Sequence, residues 1–230
     1  MRLWPAVVVL AVASGATAHD TWREEFLTMP NGWEVRTVPG TDVTKFRADA
    51  DGAHGAGVLV LEADDASATL ATQLKSVDLR ETPILRWRWR VLEYPRDADG
   101  RVAERDDQAI GIYVSAGGIL GQRSIAYRWE TDTPIGTEGD ATYGAGLVKV
   151  HWLAVRNNDD GTGVWHTDER NVAADFKRAF GYIPDEPIIA VTSNSQYTSS
   201  RAVAELDWIE LDPPPPAAAP PPPAAAPTPQ

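Results

Sequence analysis

The densest run of chemistry-bearing side chains is Leu85-Arg86-Trp87-Arg88-Trp89-Arg90-Val91. In an extended chain, alternation places Leu85, Trp87, Trp89 and Val91 on one face and three arginines on the other. The apolar face is a core face. Three neighbouring guanidinium groups repel one another unless carboxylates or an anionic ligand sit among them. Asp106 and Asp107, at the mouth of the next apolar run, are the nearest carboxylates in sequence. The arginine face therefore reads either as a cross-strand salt-bridge ladder or as an anion- or carbohydrate-binding surface. With Arg86, Arg88 and Arg90, the residues Asp106, Asp107, Tyr113, Trp129 and His151 make up the candidate ligand-binding set.

The chain has nine tryptophans, and aromatic rings with a polar handle are common in recognition sites. Trp129, Trp152 and Trp165 stand among polar neighbours and are the candidate exposed platforms, whereas Trp33, Trp87, Trp89 and Trp208 read as core. For catalysis there is no cysteine, no Gly-x-Ser-x-Gly elbow, no P-loop and no Gly-x-Gly-x-x-Gly loop. Two of the carboxylates Asp97, Asp99, Asp106, Asp107, Glu205 and Asp207, held at about 5 to 10 Å, would suit glycoside hydrolysis. Arg88, Tyr113 and His151 are the side chains a polysaccharide lyase would use for neutralisation and proton transfer. Asp97-x-Asp99-Gly100 lacks the terminal Glu of a calcium loop and reads as a solvated loop. His19, if it became the N-terminus, would offer an amine and an imidazole suited to Cu(II), with His54, His151 or His166 as a second ligand. No spacing selects among these, so neither a metal nor a cofactor is assigned.

The elements that must position these groups have a period of two. Strands are expected over 33–38, 58–63, 83–94, 109–115, 124–131, 147–156, 188–193 and 202–211, bounded by Gly, Pro and Asp-rich turns. From Asn171 to Phe180 the apolar positions Val172, Phe176, Ala179 and Phe180 recur at helical spacing, with Asn171 as N-cap and Gly181 as terminator. Asn157-Asn158-Asp159-Asp160-Gly161 reads as a hairpin turn. Eight or so strands with one short helix give an all-β, jelly-roll-like antiparallel β-sandwich.

The ends set the context. Arg2, the apolar run Leu3–Val12 and Ala16-Thr17-Ala18 form a signal peptide over residues 1–18, too short to span a bilayer comfortably. Its removal deletes one Arg and no acid, taking the formal charge from −12 to −13. The expected mature domain, residues 19–212, is periplasmic or secreted, with no stable membrane insertion. An acidic surface repels phosphate backbones, which disfavours nucleic acid as a partner. Residues 213–230 are a Pro/Ala-rich tail with nothing to bury.

The order Asp78-Leu79, Pro83 through Arg90, Asp106-Asp107 before Tyr113-Val114, Tyr127-Arg128-Trp129, Glu169 through Val172, Asp175-Phe176, Ala179-Phe180-Gly181 and a last strand around Ala204 resembles the bacterial domain-of-unknown-function family numbered 3047. The resemblance runs from about Phe26 to Leu211. It implies an exported β-sandwich similar in outline to galactose-binding-like jelly rolls, with no activity attached. The family commonly carries an Asp-x-Asp segment after the penultimate strand, where this chain reads Ser193-Asn194-Ser195-Gln196-Tyr197-Thr198, weaker ligands for a hard cation. The functional expectation is non-catalytic binding of carbohydrate or another envelope component. A glycoside hydrolase or polysaccharide lyase is the alternative.

Overall fold

A computed structural model describes residues 21–50, 57–118, 121–143 and 146–215. The proposed signal peptide with His19, the loop containing His54, and most of the Pro/Ala tail lie outside the described residues. In chain order the strands are β1 (Trp22–Glu24), β2 (Glu34–Thr37), β3 (Lys45–Asp49), β4 (Val58–Asp64), β5 (Ser67–Gln73), β6 (Ile84–Glu93), β7 (Gln108–Ala116), β8 (Arg123–Trp129), β9 (Glu138–Tyr143), β10 (Val148–Arg156) and β11 (His166–Asn171). Helix α1 (Val172–Phe180) follows, then β12 (Ile188–Asn194) and β13 (Arg201–Asp212). Among the described residues no helix is long and apolar enough to cross a membrane.

Two sheets face each other. One has the order β11-β6-β13-β4-β3, with β1 pairing the far end of β13. The other runs β2-β5-β12-β7-β8-β10-β9. From β4 to β7 the chain changes sheet at every strand, so hydrophobic residues of successive strands meet across one shared interior. Every ladder is antiparallel except β10 on β8, which is parallel. That departs from a purely antiparallel sandwich and has a local cause: β9 and β10 form a hairpin whose second strand, not its first, docks on β8.

Alternation produces the expected core. Trp87 and Trp89 of β6 point inward and meet Tyr127 and Trp129 of β8, with ring centroids 5.2 Å apart for Trp87–Tyr127 and 5.3 Å for Trp89–Trp129. All four rings are fully buried, and Ile112, Val114, Leu206 and Ile209 pack around them. Helix α1 closes one end by inserting Val172 and Phe176. Asn171 Oδ1 accepts the Ala174 N–H at 2.9 Å, and Gly181 ends the helix at φ 83°, a left-handed conformation that glycine adopts without a Cβ penalty. The turn after β10 is a short 3-10 segment, 158–160, capped by Asn157.

Candidate functional site

The arginine face lies outward on the six-stranded sheet and is filled by carboxylates. Arg86 Nε donates to Glu169 Oε2 at 2.6 Å and its Nη1 pairs with Asp212; Arg88 pairs with Asp207; Arg90 Nε donates to Glu205 Oε2 at 2.6 Å. These acids come from β11 and β13, the two strands that flank β6. Asp106 and Asp107 are not the partners, because the strand they precede belongs to the other sheet. The Trp165 ring lies 5.0 Å from the Arg88 guanidinium carbon and 4.5 Å from that of Arg90, which completes a salt-bridge ladder capped by a cation–π stack.

The outward face of the seven-stranded sheet is different. Here β7 presents Tyr113 and Ser115, β8 presents Ser124, Ala126 and Arg128, and β10 presents Val150 and Trp152. Arg128 is fully buried on this face. Its Nη1 donates to Asp106 Oδ1 at 2.7 Å and stands 3.7 Å from Glu130 Oε1, and its guanidinium lies 5.1 Å from the Trp152 ring. Burial works against its charge, but the acidic groups around it, Tyr113, Asp106 and Glu130, more than offset that and hold its pKa above the ordinary range. Glu130 is fully buried, with Oε2 accepting from Thr133 Oγ1 at 2.9 Å and from the Gly100 N–H at 3.2 Å. Burial pushes its pKa up to about 7 against the opposing pull of Arg128.

Trp152 can lie flat over Arg128 because β9 carries glycine opposite it. Gly139 is its register partner, and a Cβ there would come within 2.3 Å of Trp152 Cζ2. Beside it, Tyr143 donates its hydroxyl to Asp106 Oδ2 at 3.0 Å, and burial raises the pKa of that phenol. Asp106 thus links the buried arginine to an exposed ring.

Asp107 faces the segment after β12. It is fully buried and accepts from the backbone N–H groups of Tyr197 (3.2 Å) and Thr198 (2.8 Å), from Thr198 Oγ1 (2.8 Å) and from Asn194 Nδ2 (3.2 Å). Burial raises its pKa in spite of those bonds. The carboxylate anchors the loop that brings Tyr197 to the sheet. Tyr143 and Tyr197 remain 39% and 44% exposed and are shared by two adjoining clefts. One, about 620 Å³, is floored by Trp152 and edged by Arg101, Asp106, Glu138 and Asp140. The other, about 480 Å³, runs back over the sheet past Tyr113, Gln108, Asn194 and Thr192 to Arg36 of β2.

Of the candidate residues, Asp106 and Tyr113 line this groove, and Asp107 supports it from below. Trp129 is not a platform. Its side chain points inward, sealed between Trp89 and His166, with Nε1 donating to the Asn157 carbonyl at 3.0 Å; the polar neighbour that suggested exposure, Arg128, is itself buried. Trp152 is only 4% exposed, and Trp208 lies outward beneath Arg23 rather than in the core. His151 takes the opposite parity to Trp152 and pairs with Asp140 at 2.9 Å and Glu138 at 3.4 Å. Arg88, Tyr113 and His151 are thus not brought together: Arg88 lies outward on one sheet, Tyr113 outward on the other, and His151 on the reverse side of the second. Asp99 is held by Arg101 through two bonds of 2.8 and 2.7 Å, which keep its pKa at about 2. Among the described residues no group of three or more His, Cys, Asp or Glu is placed to hold a metal ion.

Fold and site together define a β-sandwich with a tyrosine-flanked groove across its seven-stranded sheet. The chain belongs to the DUF3047 family, described as a protein of unknown function, whose model matches residues 31–210. No curated protein matches the sequence. Among solved structures it is similar to the family 11 carbohydrate-binding module of cellulase Lic26A-Cel5E from Clostridium thermocellum, at 11% identity and a TM-score of 0.48, covering 86% of this chain and 96% of that one. It is also similar to the CBM22-1 xylan-binding domain of Paenibacillus barcinonensis Xyn10C, at 14% identity and a TM-score of 0.41, covering 86% and 97%. A lichenase from a mouse hindgut metagenome matches at 14% identity and a TM-score of 0.42, covering 85% and 100%. At these scores the likeness is one of outline, and the function proposed below rests on the groove itself.

Proposed function

We propose that this protein is an exported component of the bacterial envelope that binds carbohydrate, without turning it over, in the groove on the outward face of its seven-stranded sheet. The observation that carries this reading is the pair of adjoining clefts meeting at the half-exposed rings of Tyr143 and Tyr197. Aromatic rings offer flat apolar surface to the C–H faces of a sugar, and the surrounding hydroxyl and amide groups of Thr192, Gln108 and Asn194 match its hydroxyls. Export rests on the N-terminal sequence, with its apolar run and Ala16-Thr17-Ala18.

A hydrolase reading would draw on Asp106 and Glu130. With 2.7 and 3.7 Å to the same Nη1, their nearest oxygens are at most 6.4 Å apart, no wider than the spacings used by paired catalytic carboxylates. Glu130, however, is closed off beneath Gly100 and Thr133 and cannot touch a bound polymer. Electrophoresis of the mature chain through gels cast with neutral and acidic polysaccharides tests the choice. Retardation with the polymer left intact supports binding. Clearing of the polymer around the band supports hydrolysis, and free migration through every gel refutes carbohydrate recognition.

A further inference from the structure

The groove also has a charge pattern and a length, and together they narrow its ligand. Cationic side chains reach its lining at two places. Arg36 stands on the edge strand β2, and Arg101 is tied through Nε and Nη2 to Asp99. The third cation of this face, Arg128, is shut beneath Trp152 and committed to Asp106. Of the acids at the larger cleft, Asp106 is committed to Arg128 and Tyr143, while Glu138 and Asp140 take the opposite parity to Gly139 and pair with His151 on the reverse of the sheet. The chain as a whole carries a formal charge of −12. Among the described residues the lining thus offers a uronate or sulfated polymer one open guanidinium, Arg36 at its far edge, and no row of cations to pair with an acid on every unit, while the negative charge of the whole chain repels such a polymer at long range. The smaller cleft carries mainly hydroxyl, amide and phenol groups, such as Ser115, Ser124, Thr192, Gln196 and Tyr113, which hydrogen-bond uncharged sugars.

The lining touches all seven strands, from Arg36 on β2 to Tyr143 on β9. Six inter-strand steps of about 4.8 Å make a span of roughly 29 Å across the strands. One pyranose unit of an extended glycan is about as long as one such step, so the groove matches a run of about six units rather than a single terminal sugar.

We infer that the groove takes a stretch of a linear, uncharged polysaccharide laid across the strands, in preference to acidic polymers. This rests on the carbohydrate-binding reading above, and the outcomes separate the two. The full mature chain is titrated calorimetrically, at about 150 mM salt to screen distant charges, with two- to six-unit oligosaccharides of the neutral polysaccharide that retards it most in the gels. Oligogalacturonates of the same lengths are titrated in parallel. The expected result is an affinity that rises about tenfold or more from two units to six, with weaker binding of the oligogalacturonate at every length. Binding of oligogalacturonate as tight as that of the neutral series, retardation by acidic polymers alone, or a two-unit sugar bound as tightly as a six-unit one overturns this inference while leaving carbohydrate binding in place. Failure of every polysaccharide to retard the chain overturns both.

Discussion

The packing of Trp152 against Gly139 gives a prediction whose size follows from geometry. A Cβ at position 139 would lie 2.3 Å from Cζ2, 2.5 Å from Cε2 and 2.9 Å from Nε1 of the indole. The backbone of Gly139 is outside the left-handed region, so alanine suffers no dihedral penalty and space alone decides. The indole has little room to yield, because it is 4% exposed and its other side rests on the buried Arg128 guanidinium. Overpacking of this kind costs about 1–3 kcal/mol, and the reduced freedom of the unfolded alanine chain returns roughly 0.4–1 kcal/mol. A separation of 2.3 Å is far inside van der Waals contact, so the upper half of the overpacking range applies and the net loss for Gly139→Ala is about 1–2.5 kcal/mol, a fall in Tm of roughly 2–10 °C for a domain of this size. Differential scanning calorimetry reads it directly. In a Trp152→Ala background the clash is gone, and the same substitution should leave Tm unchanged or raise it. An unchanged or higher Tm for the single Gly139→Ala variant would refute the placement of the indole over Gly139.

Three further expectations concern the buried acids. The folded chain keeps the Glu130 proton up to about pH 7, whereas the unfolded chain releases it near the ordinary value of 4.5. Stability should therefore decline as pH rises through that window, by up to a few kcal/mol, and urea unfolding at about pH 5 and pH 8 should show a smaller decline for Glu130→Gln than for wild type; an equal or larger one contradicts the assignment. Asp107, raised in the same direction, adds to the wild-type slope and accounts for what remains in the variant. Asp107→Ala strands the N–H groups of Tyr197 and Thr198 and should cost about 2–4 kcal/mol in urea unfolding, with loss of any glycan retardation as the 194–200 segment comes loose; a variant of wild-type stability would show that the carboxylate does not anchor it.

What the sequence disclosed follows from where burial writes itself into alternation. β6 and β13 are central strands with one strictly apolar face and are evident at sight. β11, His-Thr-Asp-Glu-Arg-Asn, has no apolar face at all; it is an edge strand defined by its register on β6, and no periodicity marks it. β9 is another polar edge strand, and β5, Ser-Ala-Thr-Leu-Ala-Thr-Gln, buries small residues that carry little hydrophobic signal. β1 and β3 are short and partly exposed. The arginine face was visible, but its partners were not, since Glu205, Asp207 and Asp212 lie more than a hundred residues along the chain and only sheet order brings them to β6. The groove was half visible. Asp106 and Tyr113 could be named, whereas Tyr143 and Tyr197 depend on the β9–β10 hairpin and on the hydrogen bonds of Asp107 to a loop that sequence shows only as a polar run. The Gly139-x-Ala141-x-Tyr143 alternation was the one local signal that could have pointed to a shaped face.

Which face takes the ligand is the decisive question, and a single comparison answers it. In gels containing the neutral polysaccharide that retards the wild-type chain most, a Tyr143→Ala/Tyr197→Ala variant strips the rings from the groove, and Trp165→Ala strips the ring from the arginine face. With both variants shown by calorimetry to be folded, binding in the groove predicts free migration of the double tyrosine variant and wild-type retardation of Trp165→Ala. Undiminished retardation of the tyrosine variant, with loss in Trp165→Ala, would contradict it and move the ligand to the six-stranded sheet.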